Sequence, residues 1–125
     1  MILGIGLDVV ETAQIRRLLA AHGRSFEERV FTAAERAECA ARADREQAFA
    51  ARFAAKEACF KALGTGWSQG VSFLQVEVTR TDGGAPALRL SGRAAERARE
   101  RGVRSMHVSL SHQGGIAAAA VILEG

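Results

Sequence analysis

Cysteine, aromatic side chains and long apolar runs are all scarce in this chain of 125 residues. Its two cysteines, Cys39 and Cys59, have neither zinc-finger nor CxxC spacing, and we expect free thiols in a reducing cytosol. No run of about 18 apolar residues occurs, which argues against a membrane span. The first residues carry no basic segment, which argues against a signal peptide. The sequence therefore predicts a cytoplasmic protein without a membrane partner.

The composition is typical of a folded globular protein. Apolar residues make up 48% of the chain and charged residues 25%, so intrinsic disorder is excluded as the main state. A chain of this length can bury a core without a disulfide or metal, and it is too short for two ordinary domains. We expect a single domain over residues 1–125.

The net charge is +3, and only two of the 17 basic residues are lysines. This balance suits an acidic partner such as nucleic acid, anionic lipid, a phosphorylated ligand or an acidic protein. An arginine-rich codon bias would give the same charge. A small basic nucleic-acid-binding module is the alternative to an enzyme, but aromatics are only 6% and tyrosine is absent. Because base stacking needs such side chains, we expect no nucleic-acid partner.

The apolar periodicity predicts an α+β fold with a mostly antiparallel sheet and one long central helix. Thr12 is the expected cap of the first helix and Gly23 its end, while Thr32 and Glu35 form a capping-box pattern. The last strand is apolar on both faces, so we expect it to be covered on both sides. The predicted strands are 2–10, 71–81, 88–90, 103–111 and 116–123, and the predicted helices are 12–22, 32–42, 44–63 and 93–101.

The third helix carries charges beside its apolar stripe, which Phe49, Phe53 and Phe60 define. Lys56 falls in the middle of that stripe and Glu57 about 40° from it. Burying such charges costs several kcal/mol per ion unless they are paired or bind something. A set of solvated side chains with a Glu57–Lys61 ion pair is the simpler alternative.

The same helix ends in Gly64-Thr65-Gly66. Glycines allow a ligand to approach the backbone, and their amides can form an anion nest. Lys61 and these amides are therefore candidates for a phosphate contact.

The first strand supplies a second carboxylate, Asp8, on the face that it shares with Gly4 and Gly6. A helix can pack closely on a face without side chains, and this would bring Glu57 near Asp8. Two neighbouring carboxylates without a His or Cys cluster suit Mg²⁺, which also binds substrate phosphate. Asp8 as a cap of the following helix is the alternative.

Two segments resemble a known family. Residues 4–11, GIGLDVVE, are similar to the first motif of the holo-[acyl-carrier-protein] synthases, the short bacterial 4′-phosphopantetheinyl transferases. Residues 52–66, RFAAKEACFKALGTG, are similar to the second motif, and Val108 to His112 also match. The resemblance covers essentially the whole chain and implies a single 4′-phosphopantetheinyl transferase domain.

The resemblance implies transfer of the 4′-phosphopantetheine arm from coenzyme A to a serine of apo acyl carrier protein, with adenosine 3′,5′-bisphosphate as the other product. It implies Mg²⁺ dependence, a homotrimer with sites between subunits, and a role in fatty acid biosynthesis. Carrier proteins of polyketide or peptide synthesis remain open. The metal positions match Asp8 and Glu57, and Glu57 is also our candidate base, with Lys61 beside the phosphates. The coenzyme positions match Arg52, Lys61, Gly64, Thr65, Gly66, Pro86, Ser111 and His112.

Two positions depart from the family pattern. Gln14 stands where an arginine often contacts the carrier protein, and Ala85 stands where a lysine often lies near the coenzyme. We therefore expect Arg16, Arg17 and Arg24 to provide the docking of the acidic carrier protein.

Overall fold

The computed structural model describes residues 1–65 and 69–125. Three strands form an antiparallel sheet in which β5 (Ile116–Glu124) lies between β1 (Ile2–Glu11) and β4 (Ser105–Gln113), and a separate hairpin pairs β2 (Val76–Arg80) with β3 (Pro86–Leu90). The expected α+β class, with antiparallel pairing and one long helix, is confirmed. The strands are β1 Ile2–Glu11, β2 Val76–Arg80, β3 Pro86–Leu90, β4 Ser105–Gln113 and β5 Ile116–Glu124, and the helices are α1 Thr12–His22, α2 Arg24–Val30, α3 Ala33–Ala40, α4 Arg45–Leu63 and α5 Gly92–Glu100.

Helix α4 forms the centre of the core and is buried on nearly every side. Its phenylalanines pack against rings from other elements, with Phe49 at 4.7 Å from Phe31 and Phe60 at 5.4 Å from Phe73 between ring centroids. Its alanines face the sheet, where they allow close contact with β1 and β5. The inward residues of β5, Ala117, Ala119, Val121 and Leu123, complete this layer.

Helix ends follow the expected chemistry in most places. The Thr32–Glu35 capping box is present in both directions, and Gly23 and Gly64 end their helices at φ values of 52° and 69°. Thr12 is not the cap of α1, because Glu11 takes that position and the Thr12 amide donates to Gly115 O. Helix α2 was not predicted, since its seven residues start directly after Gly23 and carry little apolar periodicity.

The predicted strand over residues 71–81 is wrong in its first half. Residues Phe73–Gln75 form a 3₁₀ turn, and Leu74 is exposed instead of sharing a face with Val76 and Val78. The carbonyls of Phe73 and Val76 accept hydrogen bonds from Lys56, which turns this backbone toward α4. Strand β4 likewise starts at Ser105, because Val103 N still bonds to Ala98 O at the end of α5.

The outward face of β1 is apolar and uncovered. Ile5, Leu7 and Val9 are 68%, 62% and 59% exposed, whereas Gly4 and Gly6 face α4. The neighbouring outward residues of β5 are only half-buried, so one face of that strand lacks the full cover that its sequence predicts. None of the described helices combines the length and apolarity that a bilayer crossing requires.

Candidate active site

Two glycines of β1 set how closely α4 approaches the sheet. A Cβ atom at Gly4 would overlap the carbonyl oxygen of Ala62, and one at Gly6 would overlap that of Ala58. Real side chains cannot be accommodated at such separations. The expected packing of a helix on this glycine face is therefore observed, and it places Glu57 and Lys61 beside Asp8.

Lys61 bridges α4 to β1 at the point where the glycine face ends. Its Nζ donates to Leu7 O at 2.9 Å and lies 3.2 Å from Asp8 Oδ1. The Lys61 side chain is about half exposed, whereas that of Asp8 is 17% exposed. The ammonium group therefore stands at a surface where a ligand phosphate can reach it.

Glu57 is the second carboxylate of this site. Partial burial raises its pKa above the ordinary value, the Asp8 charge raises it further, and Lys61 acts in the opposite direction. The alternative ion pair between Glu57 and Lys61 is not formed, because Lys61 turns to Asp8 instead. Two acidic groups thus face one another across β1 and α4.

The donor set fits a hard divalent cation bound partly by substrate. Residues 1–65 and 69–125 contain no group of three or more His, Cys, Asp or Glu that could hold a metal ion. Mg²⁺, however, is commonly held by one or two carboxylates, with waters and phosphate oxygens as its other ligands. Asp8 and Glu57 have the oxygen chemistry of such a site. Burial, and after it the Asp8 charge, raises the pKa of Glu57, and a bound cation would oppose the repulsion between the two carboxylates.

The turn after α4 differs from the expected anion nest. Gly64 N donates to Lys61 O and Thr65 N to Phe60 O, both at 3.1 Å, so these two amides close the helix. The buried Thr65 hydroxyl has no hydrogen-bond partner among the residues that the structure describes. Gly66 lies outside the described residues. Among the described residues of this turn, Lys61 and the Thr65 hydroxyl remain available for a phosphate contact.

Lys56, which the sequence placed in the apolar stripe, is fully buried and paired. Its Nζ lies 2.8 Å from Glu35 Oε1 and donates to the carbonyls of Phe73 and Val76. Glu35 also accepts from the Val78 amide. This network accounts for the three protons of the ammonium group. Lys56 therefore ties α4 to α3 and β2, and the solvated alternative is wrong for it.

Three of the expected coenzyme residues line one cavity of about 200 Å³. Arg52, Pro86 and His112 share it with two further arginines, Arg42 and Arg80. Arg52 is 3% exposed, and its Nε is buried without a hydrogen-bond partner in residues 1–65 and 69–125. Asp44 also lines the cavity and pairs with Arg42 at 2.8 Å, while Arg80 pairs with Glu38 at 3.0 Å, so a phosphate bound there would compete with these carboxylates for the guanidinium groups.

Both terminal nitrogens of the Arg52 guanidinium group contact other protein groups. Its Nη1 donates to Ala48 O, and its Nη2 lies 3.4 Å from Glu38. Ser111 does not join this cavity, because alternation along β4 directs it to the opposite face from His112. The cavity is also separate from the carboxylate site, since Arg52 and Glu57 lie about 140° apart around α4.

The three expected docking arginines are all exposed, and two of them form ion pairs. Arg16 Nε lies 2.6 Å from Glu46, and Arg24 Nε lies 3.0 Å from Glu28. Arg17 has no ion-pair partner within the described part of the chain. Arg17 is therefore the cation most available to a protein partner on this surface.

Several site residues were not found from the sequence. Arg42 and Arg80 reach the cavity from the loop before α4 and from the end of β2, and Arg101 bonds to both α4 and β1. No motif distinguishes them from the other arginines of the chain. Only the tertiary arrangement brings them to these places.

The comparisons with known proteins show the family to which this chain belongs. A family model described as the 4′-phosphopantetheinyl transferase superfamily matches residues 4–120. A holo-[acyl-carrier-protein] synthase of Anaeromyxobacter dehalogenans is 58% identical, covering 100% of this chain and 98% of its own. The solved synthase of Neisseria meningitidis superposes with a TM-score of 0.91 at 33% identity, covering 100% of both chains.

The Helicobacter pylori synthase, solved in complex with coenzyme A, superposes with a TM-score of 0.84 at 32% identity. It covers 96% of this chain and 99% of its own. Both motifs, the fold and the full-length similarity lead to one assignment. The chain belongs to the holo-[acyl-carrier-protein] synthase family of the 4′-phosphopantetheinyl transferase superfamily.

Proposed function

We propose that this enzyme transfers 4′-phosphopantetheine from coenzyme A to a serine hydroxyl of apo acyl carrier protein. The observation that carries the proposal is the meeting of Asp8, Glu57 and Lys61 where β1 and α4 touch. Phosphoryl transfer needs charge neutralisation and positioning more than covalent help from the protein. Two carboxylates for a metal and one lysine for phosphate supply these requirements.

Each side chain has a separate role in this proposal. Asp8 and Glu57 would hold Mg²⁺, which neutralises charge on the coenzyme's pyrophosphate when it is bound. Lys61, which is half exposed, moves from Asp8 to the phosphate and offsets the charge that develops on the leaving group. Glu57, with its raised pKa, is our candidate to accept the proton of the attacking serine hydroxyl.

The arginine cavity is our proposed site for the phosphorylated adenosine end of coenzyme A. Its support is the Arg52 Nε, which has no hydrogen-bond partner in the described part of the chain and shares the cavity with Pro86 and His112. Ser111 and the residues after Gly64 would contact the coenzyme from other directions. Because the cavity and the carboxylate site face different sides of α4, we propose that the coenzyme joins these two sites across neighbouring subunits.

A homotrimer accounts for both this separation and the uncovered sheet. The outward face of β1 presents Ile5, Leu7 and Val9 to solvent in the single chain. Apolar faces of this kind usually mark an interface. We propose that a neighbouring subunit covers it and thereby brings its own arginine cavity toward the carboxylate site.

The setting of the reaction follows from the same proposal. Cys39 and Cys59 are free and buried, and burial raises the pKa of their thiols to about 11 and about 12. Unreactive free thiols are typical of a reducing compartment, which supports a cytoplasmic location. The acidic carrier protein would dock on Arg16, Arg17 and Arg24 and take the product into fatty acid biosynthesis.

Intact-mass spectrometry tests the reaction directly. An apo acyl carrier protein is incubated with the enzyme, coenzyme A and Mg²⁺, and we expect a mass increase equal to one phosphopantetheine group. Omission of coenzyme A and addition of EDTA are the controls, and both should abolish the increase. A carrier protein that keeps its apo mass under all conditions would contradict the proposal.

A further inference from the structure

The guanidinium group of Arg101 joins the two elements that carry the carboxylate site. Its Nη1 donates to Ala62 O at 2.8 Å, and its Nη2 donates to Leu3 O. Ala62 lies in the last turn of α4, where carbonyls lack an intrahelical donor. Leu3 lies at a β-bulge, where the register of β1 against β5 shifts and leaves it without a partner. Arg101 therefore serves one carbonyl from each element.

Arg101 contacts α4 and β1 where their packing involves no interlocking side chains. Gly4 packs directly on Ala62 O, and Gly6 on Ala58 O, without side chains that interlock. Ridges and grooves normally fix how a helix sits on its neighbour. On a glycine surface, polar contacts have to fix the register instead.

Two basic residues supply such contacts, at opposite ends of the glycine face. Lys61 bonds to Leu7 O and Asp8, while Arg101 bonds to Leu3 O, about 13 Å further along β1. Lys61 has to leave β1 when it binds a phosphate in the proposed reaction. Arg101 then remains as the polar link between β1 and the last turn of α4.

We propose that Arg101 is a positioning residue, which holds α4 in register on β1 and so keeps Lys61 in position to reach the phosphate during transfer. This inference rests on the proposed function. Arg101 does not touch the reacting groups, so its effect should fall on kcat and not on the binding of either substrate. Lysine should not replace it, because one ammonium group lacks the fixed fork that serves two carbonyls.

A double-mutant cycle with Lys61 tests the proposal. We compare Arg101→Gln, Lys61→Gln and the double variant, measuring kcat and the KM of each substrate. Arg101→Gln should lower kcat about tenfold, the size expected for a small misplacement, and leave both KM values within about twofold. In the Lys61→Gln background, Arg101→Gln should lower kcat little further, because the proposed role of Arg101 is to position Lys61.

Three controls keep the result interpretable. Arg99→Gln, which changes an exposed arginine of α5 two residues before Arg101, should match the wild type. Arg101→Lys should lose nearly as much kcat as Arg101→Gln, and it replaces that variant in the cycle if the glutamine protein does not fold. Circular dichroism and the thermal midpoint establish the folded fraction of each variant at the assay temperature.

The results that would overturn the role of Arg101 differ from those that would overturn the proposed function. An unchanged kcat in Arg101→Gln, full activity in Arg101→Lys, or losses that multiply fully in the double variant would each overturn the positioning role alone. A wild-type enzyme that never converts the carrier protein would overturn the proposed function, and the positioning role with it.

Discussion

The carbonyl oxygen of Ala58 occupies the space that a Cβ atom on Gly6 would take. This single relationship brings the backbone of α4 onto β1, next to Glu57 and about one turn before Lys61. The glycine thus determines the site without contributing any chemical group to it.

Replacing this glycine should therefore damage the fold and the site together. We expect Gly6→Ala to lower the free energy of unfolding by about 2 kcal/mol or more, because the methyl group meets rigid backbone. Gly83→Ala is the matched control, since its Cβ would meet only Thr81 Oγ1 at 3.9 Å. Urea unfolding of both variants measures the difference. Equal stability of the two would contradict the close packing.

Stability should also respond to the two facing carboxylates. Burial and Asp8 raise the pKa of Glu57 above its ordinary value of 4.5, so the unfolded chain releases this proton at lower pH than the folded chain does. Wild-type stability therefore falls as pH rises through the window above 4.5. In EDTA at pH 7, Glu57→Gln should melt about 2 °C higher than the wild type.

This gain should disappear at about pH 4, where the wild-type carboxyl is protonated in both states. Thermal midpoints of both proteins, measured between about pH 4 and pH 7, test whether Glu57→Gln is the more stable protein at the higher pH. A Glu57→Gln protein that is less stable than the wild type at pH 7 would contradict the destabilising effect of the ionised Glu57 carboxylate beside Asp8.

The uncovered face of β1 gives a test of assembly. We expect Ile5→Asp to dissociate the proposed trimer, because the charge would be buried between subunits while it stays exposed in the single chain. Leu74→Asp is the control, since Leu74 is an exposed apolar residue on another surface. Light scattering measures the mass of each variant. A wild-type monomer, or a trimer in Ile5→Asp, would contradict this interface.

Docking should depend most on Arg17, the exposed arginine of α1 without an ion pair among the described residues. We expect Arg17→Glu to raise the KM for the carrier protein severalfold and to leave the KM for coenzyme A unchanged. The effect should weaken at high salt, because exposed charges are screened. Arg104→Glu, an equal charge change elsewhere on the surface, should have little effect. Equal increases in both KM values would show that this surface does not select the carrier protein.

The sequence predicted the elements whose apolar period or capping chemistry is strong. Helix α4, the Thr32–Glu35 capping box and the final hairpin follow from local residues. The 3₁₀ turn at Phe73–Gln75 does not, because Lys56 from a distant helix bonds to its backbone. Such long-range contacts override the local alternation of residues 71–75 and cannot be read from it.

Some residues of the candidate site could likewise be predicted from the sequence, and others could not. Asp8, Glu57 and Lys61 could be predicted, because the glycine face and the charged helix stripe constrain how they meet. The arginine cavity could be predicted only in part, since Arg42 and Arg80 come from segments without a motif. The amides of Gly64 and Thr65 were assigned wrongly, because the sequence does not show that they close the helix.

The central claim is that Asp8 and Glu57 together serve the transfer. Its most direct test is the rate of holo acyl carrier protein formation, followed by intact mass, for wild type, Asp8→Asn and Glu57→Gln across a range of Mg²⁺ concentrations. We predict that both variants fold and lose about 100-fold or more in turnover, as expected when a metal ligand is removed. Near wild-type turnover of either variant at low Mg²⁺ would contradict the account.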